Sequence, residues 1–190
     1  FELQTMSVRN FSSSAIRAKS LPRNFNGLPT KSAKSHAYMN VAELGKFRWK
    51  TPSDETPPLH PLPPFNKKSA LQKVKNAENA WNSRDPQKVS MAYSEDTVWR
   101  NRDSFFRGRE AVKEFLAQKW AQEKDYKLRK HLWAYSGKRI SVRFEYEFRD
   151  GEKWFRAHGI ELWEFDRKGY MRWRDMSAAD VEIEESTKRL

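Results

Sequence analysis

The sequence contains no cysteine among its 190 residues. That absence excludes disulfides, thiol nucleophiles and cysteine-ligated zinc together. No apolar run approaches the ~20 residues that a membrane-spanning helix needs, so we expect no membrane span. The seven glycines never cluster into a phosphate-binding loop, and there is no G-x-S-x-G segment of the kind that carries a serine nucleophile.

Histidine is also scarce, and its spacing argues against a metal centre. The four histidines are far apart in sequence, and no two of them form an i, i+4 pair on a helix: His36, His60, His131 and His158. We therefore predict neither a bound metal nor a cofactor.

Positive charge is abundant but unevenly distributed. The formal net charge is +12; residues 1–50 hold nine basic and two acidic side chains, whereas residues 51–190 hold 28 and 23. There is no acidic residue from Leu3 to Ala42, and the segment "RNFSSSA" resembles a site of matrix processing. Such a composition is typical of a mitochondrial or plastid transit peptide, the alternative being a plain disordered basic arm. We expect a mitochondrial protein, in the matrix or on the matrix side of the inner membrane.

Proline marks the boundary between this arm and a folded domain. The segment "TPSDETPPLHPLPPF" has six prolines in fifteen residues, which indicates an extended, semi-rigid connector. The predicted organisation is a transit-like arm at 1–50, the connector at 51–64, a domain at 65–183 and a charged tail at 184–190.

Hydrophobic periodicity within the domain predicts helices first and strands afterwards. A helix is expected over residues 69–84, with Ser69 and Gln72 as its capping box and Leu71, Val74 and Trp81 on one face. Asp85-Pro86 predicts the start of a short second helix. Strict alternation along "RISVRFEYEFR" predicts a half-buried strand. The remaining predictions are a helix at 109–123 and strands at 97–102, 126–135, 139–149, 153–165 and 170–176.

This order predicts an α+β fold in which helices pack on one face of a curved antiparallel sheet. Three segments carry a family resemblance over residues 64–183: "AENAWNSRDPQKVSMAYSEDTVWRNR", "FFRGREAVKEFL" and "WEFDRKGYMRWRD". They resemble the SnoaL-like families of the nuclear transport factor 2-like superfamily, and most of all an uncharacterised family of small proteins from bacteria, fungi and plants.

The resemblance implies a cone, in which a bent sheet wraps three helices around a pocket. Some members of the superfamily are enzymes, including ketosteroid isomerase, polyketide cyclases and scytalone dehydratase, which use an Asp or His in the cone as acid or base. Others are transport factors, dimerisation modules or subunits of large assemblies, so the fold alone does not choose a function.

The residues that could carry chemistry lie on the predicted strands. His158 is the first candidate, because histidine exchanges protons near neutral pH. Asp175 or Asp96 could orient its ring, and Tyr93 could donate a hydrogen bond to a ligand. The alternative is a structural histidine that hydrogen-bonds a neighbouring side chain on a sheet face with both polar and apolar residues. The expected lining of the pocket is Trp81, Tyr93, Trp99, Trp120, His158, Ile160, Leu162 and Trp163.

Two departures from the resembled family argue against catalysis. Relatives have a pattern like "YGNENW" where this chain has "HGIELW", and "SIND" where it has "SAAD". Ile160, Leu162 and the alanines cannot replace the hydrogen bonds of asparagines, so a pocket with fewer polar groups is expected. Glu145 and Glu147, which alternate with arginines, are interpreted as members of cross-strand ion pairs rather than as a catalytic pair.

The sequence therefore favours a non-catalytic accessory subunit of a large mitochondrial complex, with a respiratory-chain or ATP synthase assembly preferred. The arm and the sheet would dock on other protein subunits, and a homodimer or pseudo-dimer could form through the sheet. One alternative is a SnoaL-like enzyme of the isomerase, dehydratase or cyclase type that uses His158 and Asp175. The other is a mitochondrial ribosomal subunit that contacts RNA through Trp133, Trp173, Arg129, Arg172 and Arg174.

Overall fold

The structure is a computed structural model that describes residues 48–190. The predicted transit-like arm therefore lies almost wholly outside the described residues. Within residues 48–190, three helices and six strands follow one another, with a final 3₁₀ turn at Glu185–Thr187. The helices are α1 (Lys67–Asn82), α2 (Pro86–Ser90) and α3 (Arg109–Gln122), and the strands are β1 (Tyr93–Asn101), β2 (Ser104–Arg107), β3 (Lys124–Ser136), β4 (Arg139–Asp150), β5 (Lys153–Phe165) and β6 (Met171–Ile183).

The six strands form one sheet in the order β2-β1-β6-β5-β4-β3. Strands β3 to β6 are an antiparallel meander, as the sequence predicts. β1 lies parallel to β6, and the short strand β2 pairs antiparallel with β1; neither feature was predicted. The helices cover one face of this curved sheet, which confirms the predicted α+β cone. We call that face the inner face and the opposite one the outer face.

Local signals explain where the helices begin, with one correction. Asn66, not Ser69, caps α1: Asn66 Oδ1 accepts from the Ser69 backbone N–H at 2.9 Å, and Ser69 Oγ accepts from the Asn66 N–H at 2.9 Å. Asp85 caps α2 directly before Pro86, as predicted. Leu71 is about half exposed rather than buried, because α1 presents Val74 and Trp81 to the sheet.

The core lies between the helices and the inner face of the sheet. The alternation predicted for β4 is confirmed, because its apolar residues are all buried: Ile140, Val142, Phe144, Tyr146 and Phe148. α3 adds Val112, Leu116 and Trp120, and Phe115 packs against the same cluster. The interior is therefore rich in aromatic rings.

The connector packs against the domain instead of standing away from it. The Leu59 N–H donates to the Lys168 carbonyl at 2.8 Å, and Tyr170 Oη donates to the Pro57 carbonyl at 3.0 Å. The tail also folds back, since the Leu190 N–H donates to Glu147 Oε2 at 3.0 Å. Glu147 is consequently buried although it lies on the outer face.

Candidate functional site

Three ionised side chains meet inside the cone on three different strands. Glu161 of β5 accepts from Lys130 Nζ of β3 at 2.8 Å and from Arg174 Nη2 of β6 at 2.6 Å. The Trp163 indole N–H also donates to Glu161 at 2.7 Å, and Arg174 Nη1 donates to Asn101 Oδ1 at 3.2 Å. We call Lys130, Glu161 and Arg174 the ion cluster; each side chain is at most 3% exposed.

Aromatic rings surround the two cations of the ion cluster. Lys130 Nζ lies 5.5 Å from the ring centre of Trp81 and 5.4 Å from that of Trp163. The Arg174 guanidinium carbon is 4.4 Å from the ring centre of Trp99 and 5.0 Å from that of Trp81. Such contacts attract a cation to the face of a ring and become stronger when water is excluded.

The surroundings fix the protonation states within the cluster. Burial by itself would raise the pKa of Glu161, but Arg174 and Lys130 outweigh burial and lower that pKa to about 2. Glu161 is therefore a carboxylate at neutral pH. Burial lowers the pKa of Lys130, although Glu161 opposes that shift. Burial raises the pKa of the nearby Tyr93, so its hydroxyl stays protonated.

A second buried polar group lies around Tyr146 of β4. Lys119 Nζ is 2.5 Å from Glu123 Oε2 and 3.3 Å from the Tyr146 hydroxyl. Arg102 Nη2 is 3.4 Å from the same hydroxyl, and Arg102 forms an ion pair with Asp180. Each cation here has its own carboxylate, so this group is balanced in charge.

Some buried donors in the interior have no hydrogen-bond partner among the described residues. They are the indole N–H groups of Trp99 and Trp120 and the hydroxyl of Ser94. Trp99 is fully buried and Trp120 is 8% exposed. Buried polar groups are normally paired, so these three donors are exceptions within the described part of the chain.

The structure corrects the placement expected for His158. This side chain is 45% exposed on the outer face, where Nδ1 lies 3.1 Å from Glu145 Oε1. His158 is paired in register with Glu145 on β4. The prediction of a cross-strand ion pair is confirmed for Glu147, whose Oε1 accepts from Arg156 Nη2 at 2.6 Å.

The predicted partners of His158 do not converge on it. Asp175 also lies on the outer face, where it pairs with Arg100 at 3.4 Å and opposes Leu162 on β5. Asp96 is buried and accepts from the Lys50 backbone N–H at 2.6 Å. Tyr93 is the only one of the four candidate residues whose ring packs beside the ion cluster, at 4.7 Å from the ring centre of Trp99.

The expected loss of polar groups from the pocket is also corrected. Ile160 and Leu162 are 56% and 50% exposed on the outer face, and Ala179 is exposed as well. These are the positions at which the resembled family has asparagines, so the replacements leave the interior unchanged. The other expected lining residues do lie in the interior, all of them buried: Trp81, Tyr93, Trp99, Trp120 and Trp163.

A signal in the sequence could have identified the ion cluster. Lys130 lies between Leu128 and Leu132 at alternate positions of β3, and Glu161 lies between Gly159 and Trp163 on β5. A charged residue on the apolar parity of a strand points toward the core. The same strands also carry apolar residues at the positions that face the other way, so the sequence does not show which face is buried.

Within residues 48–190, no group of three His, Cys, Asp or Glu side chains is placed to hold a metal ion. In the same part of the chain, no helix has both the length and the apolar character needed to cross a bilayer.

Several solved structures share the fold of the described domain. Among solved structures, the enzyme SalBIII, described as epoxide hydrolase/cyclase-like, aligns with a TM-score of 0.54 at 12% identity over 60% of this chain and 93% of its own. A protein from Shewanella denitrificans OS-217 described as a SnoaL-like polyketide cyclase aligns with a TM-score of 0.52 at 17% identity, over 58% and 90% of the two chains. A protein of unknown function from Burkholderia pseudomallei K96243, described as NTF2-like, aligns with a TM-score of 0.53 at 18% identity, over 58% of this chain and 90% of its own.

These likenesses show that the domain has the same fold as these SnoaL-like and NTF2-like structures. Residues 63–190 match the family described as "Protein of unknown function (DUF1348)", and the chain belongs to that family. No curated protein sequence matches the chain.

Proposed function

We propose that the domain binds a small molecule in its cone and acts on it as an enzyme of the isomerase, dehydratase or cyclase kind. The observation that supports this proposal is the ion cluster of Lys130, Glu161 and Arg174, which is buried among tryptophans between the helices and the inner face of the sheet. Concave sites with a few convergent polar groups on aromatic walls are the usual binding sites of small molecules.

The energetic cost of the ion cluster favours a functional role over a purely structural one. Removing each charge from water costs several kcal/mol, and well-packed apolar side chains of similar size often give an equal or greater stability. Perturbed, buried titratable groups are typical of sites that do chemistry. The same cluster would give the cone directional contacts that apolar side chains lack.

The residues differ in what they could contribute to a reaction. Glu161, with a pKa near 2, would act as a fixed negative charge and not as a proton donor. Lys130, whose pKa is lowered by burial, is the candidate for proton transfer. The protonated Tyr93 hydroxyl is a candidate hydrogen-bond donor to a developing negative charge.

A compound screen would test the proposal. Cyclic ketones, hydroxyketones and small acids would be scored by the rise in melting temperature of the full chain, with Arg174→Lys, Lys130→Met and Arg143→Met as variants. Arg143 lies on the outer face, its guanidinium carbon 3.7 Å from the ring centre of Trp133, and serves as the matched control. The expected hits stabilise the wild type and Arg143→Met but neither of the other two. Compounds that stabilise the cluster variants as much as the wild type would contradict the proposal. A screen in which no compound stabilises the wild type would contradict it as well.

A second candidate is the accessory subunit of a large mitochondrial complex. It is favoured by an apolar area on the outer face, here called the outer-face patch: Trp133, Ile160, Leu162 and Val181, each at least half exposed. Trp133 lies on β3, Ile160 and Leu162 lie on β5, and Val181 lies on β6. Arg143 of β4 opposes Ile160 and stacks on Trp133, so the patch extends over four neighbouring strands. An apolar area rimmed by charges is typical of a docking surface for another protein.

Native-size fractionation of mitochondria from the source cells, with mass spectrometry across the fractions, would test this second role. Comigration with a megadalton assembly is expected if the domain is a subunit, and Trp133→Ser with Ile160→Ser should release it without lowering its melting temperature. Migration at tens of kilodaltons would remove the subunit hypothesis and leave the small-molecule role.

A further inference from the structure

Two neighbouring clefts lie along the exposed side of α1, next to the edge strand β3. The first has a volume of about 570 Å³ and is lined by residues of α1 and β3 together with Leu190. The second, of about 540 Å³, is lined by α1 alone. Lys75 belongs to both linings, so the clefts adjoin each other. We call the two clefts together the α1 groove.

The α1 groove follows one face of the helix over most of its length. Lys68, Leu71, Lys75, Asn79 and Asn82 recur every three or four residues, so they lie on the same side of α1. At a rise of 1.5 Å per residue, the helix advances roughly 21 Å from the first of them to the last. An extended peptide advances about 3.3 Å per residue, so about six or seven of its residues would fill the groove.

The edge of β3 beside the groove already has hydrogen-bond partners. Asn82 Nδ2 donates to the Leu128 carbonyl at 2.9 Å, and Asn82 Oδ1 accepts from the Leu128 N–H at 2.8 Å. Glu78 Oε2 accepts from the Lys130 N–H at 2.7 Å. These bonds occupy the backbone groups with which a further strand would pair, so a ligand in the groove must be held by side chains.

The side chains that line the groove carry an excess of positive charge. Glu78 is the one acidic side chain among them, and its two oxygens are engaged by Lys75 at 2.5 Å and by the Lys130 N–H. The basic ones are five: Lys67, Lys68, Lys75, Lys127 and Arg129. All five are exposed, and those other than Lys75 have no ion pair within the described part of the chain. The groove therefore presents four positive charges that no carboxylate there offsets.

We propose that the α1 groove binds an acidic, extended segment of a partner protein. Complementary charges of this kind determine partner choice and the rate of association. The Asn79 amide can donate or accept a hydrogen bond, and Leu71, which is 48% exposed, offers an apolar contact. None of the described residues that line the groove is aromatic, so a single-stranded nucleic acid would have no ring on which to stack its bases.

This inference does not depend on the proposed function. None of the residues that line the α1 groove belongs to the ion cluster or to the outer-face patch. A ligand in the groove would leave both of those places free, so the tests of the two proposals have independent results.

Two fluorescein-labelled heptapeptides make a matched pair of probes, EEELEEE and QQQLQQQ, which differ in charge and hardly in shape. Each would be titrated with the full chain at pH 7, with fluorescence anisotropy as the readout. An ionic strength of roughly 0.15 M screens charges that are more than about 8 Å apart. We expect EEELEEE to bind about tenfold more tightly than QQQLQQQ, because only the glutamates form ion pairs with the groove.

Two double variants locate the binding at the two ends of the α1 groove. Lys127→Gln with Arg129→Gln changes the end near Asn82, and Lys67→Gln with Lys68→Gln changes the end at the start of α1. Each should weaken the binding of EEELEEE about fivefold. The melting temperature should stay nearly unchanged, because the four side chains are exposed and have no ion pair within the described residues.

The matched control is Lys88→Gln with Arg143→Gln. These are exposed cations of α2 and β4 that line neither cleft. The control has the same loss of two positive charges, so it measures attraction to the basic chain as a whole. Its affinity for EEELEEE should stay within about twofold of the wild type.

Each other outcome contradicts the inference in a recognisable way. Equal weakening in the control and in the groove variants would show attraction without a site. A loss at one end alone would contradict a segment that spans both clefts. Equal affinities for the two peptides, or no binding of EEELEEE, would exclude an acidic ligand. A labelled heptamer of uridine that binds more tightly than EEELEEE, and loses affinity in the same groove variants, would assign the groove to RNA instead.

Discussion

Glu161 and Arg174 lie on adjacent antiparallel strands and meet inside the cone, with Glu161 Oε1 2.6 Å from Arg174 Nη2. Each side chain is 2–3% exposed, so the pair is removed from water. Lys130 completes the cluster from a third strand, on the far side of β4. These three charges therefore interact inside the domain, where water screens them little.

Replacing Glu161 by Gln should destabilise the domain by about 3–5 kcal/mol, because Lys130 and Arg174 would be left buried without a carboxylate. Urea unfolding at pH 7 measures this change. Glu145→Gln is the control, since Glu145 is a partly exposed outer-face acid paired with His158 and Arg189, and it should change stability by under about 1 kcal/mol. Equal losses of stability in the two variants would show that the buried ion pairs of Glu161 stabilise the fold no more than a surface pair does.

The Glu161 carboxylate should make the free energy of unfolding depend on pH in the acidic range. The pKa of Glu161 is about 2 in the folded chain against an ordinary 4.5, so the unfolded chain binds more protons in between. The contribution of Glu161 is complete above about pH 4.5 and is lost as the pH falls toward 2. Unfolding free energies measured from pH 6 to pH 2 should decline less steeply in Glu161→Gln than in the wild type. Parallel curves would contradict the assignment.

Lys73 should make stability rise with pH in the alkaline range. Its Nζ donates to the Leu59 carbonyl at 2.8 Å. Burial lowers its pKa from 10.5 to about 8, although Asp166 opposes the shift. Between those values the unfolded chain keeps a proton that the folded chain has lost, so stability should rise with pH. Relative to the exposed control Lys68→Met, Lys73→Met should lose this rise, which unfolding titrations from pH 7.5 to 10.5 would detect.

Gly159 should tolerate no side chain. A Cβ built there would lie 2.2 Å from Phe144 Cζ and 2.7 Å from the Ser177 carbonyl oxygen, so the Phe144 ring would have to move within the packed core. Gly159→Ala should cost about 1–3 kcal/mol in thermal unfolding. Ser141→Ala, on the outer face of the neighbouring strand, is the control and should change stability by less than about 0.5 kcal/mol. A neutral Gly159→Ala would mean that the ring has room to shift.

Local patterns were sufficient for most of the architecture. The strict alternation of β4 and the Asp85-Pro86 helix start need only short-range chemistry, and both are as predicted. The start of α1 was misplaced because Asn66 and Ser69 are both good caps, and a sequence window does not tell which of them precedes the first turn. β2 and the parallel pairing of β1 with β6 depend on contacts far apart in sequence, which a local pattern does not contain.

The residues of the candidate site were predicted less well than the fold. Strand β5 carries apolar residues on both parities, with Trp163 and Phe165 on one and Ile160 and Leu162 on the other, so its sequence alone determined a strand but not which face is buried. Only the tertiary structure decided this. The aromatic residues fill the volume under the helices, and Lys130 and Arg174 from two other strands offset the cost of burying Glu161. The ion pairs that stabilise the buried Glu161 form only when β3, β5 and β6 come together. With Glu161 facing inward, His158 lies on the outer face of β5.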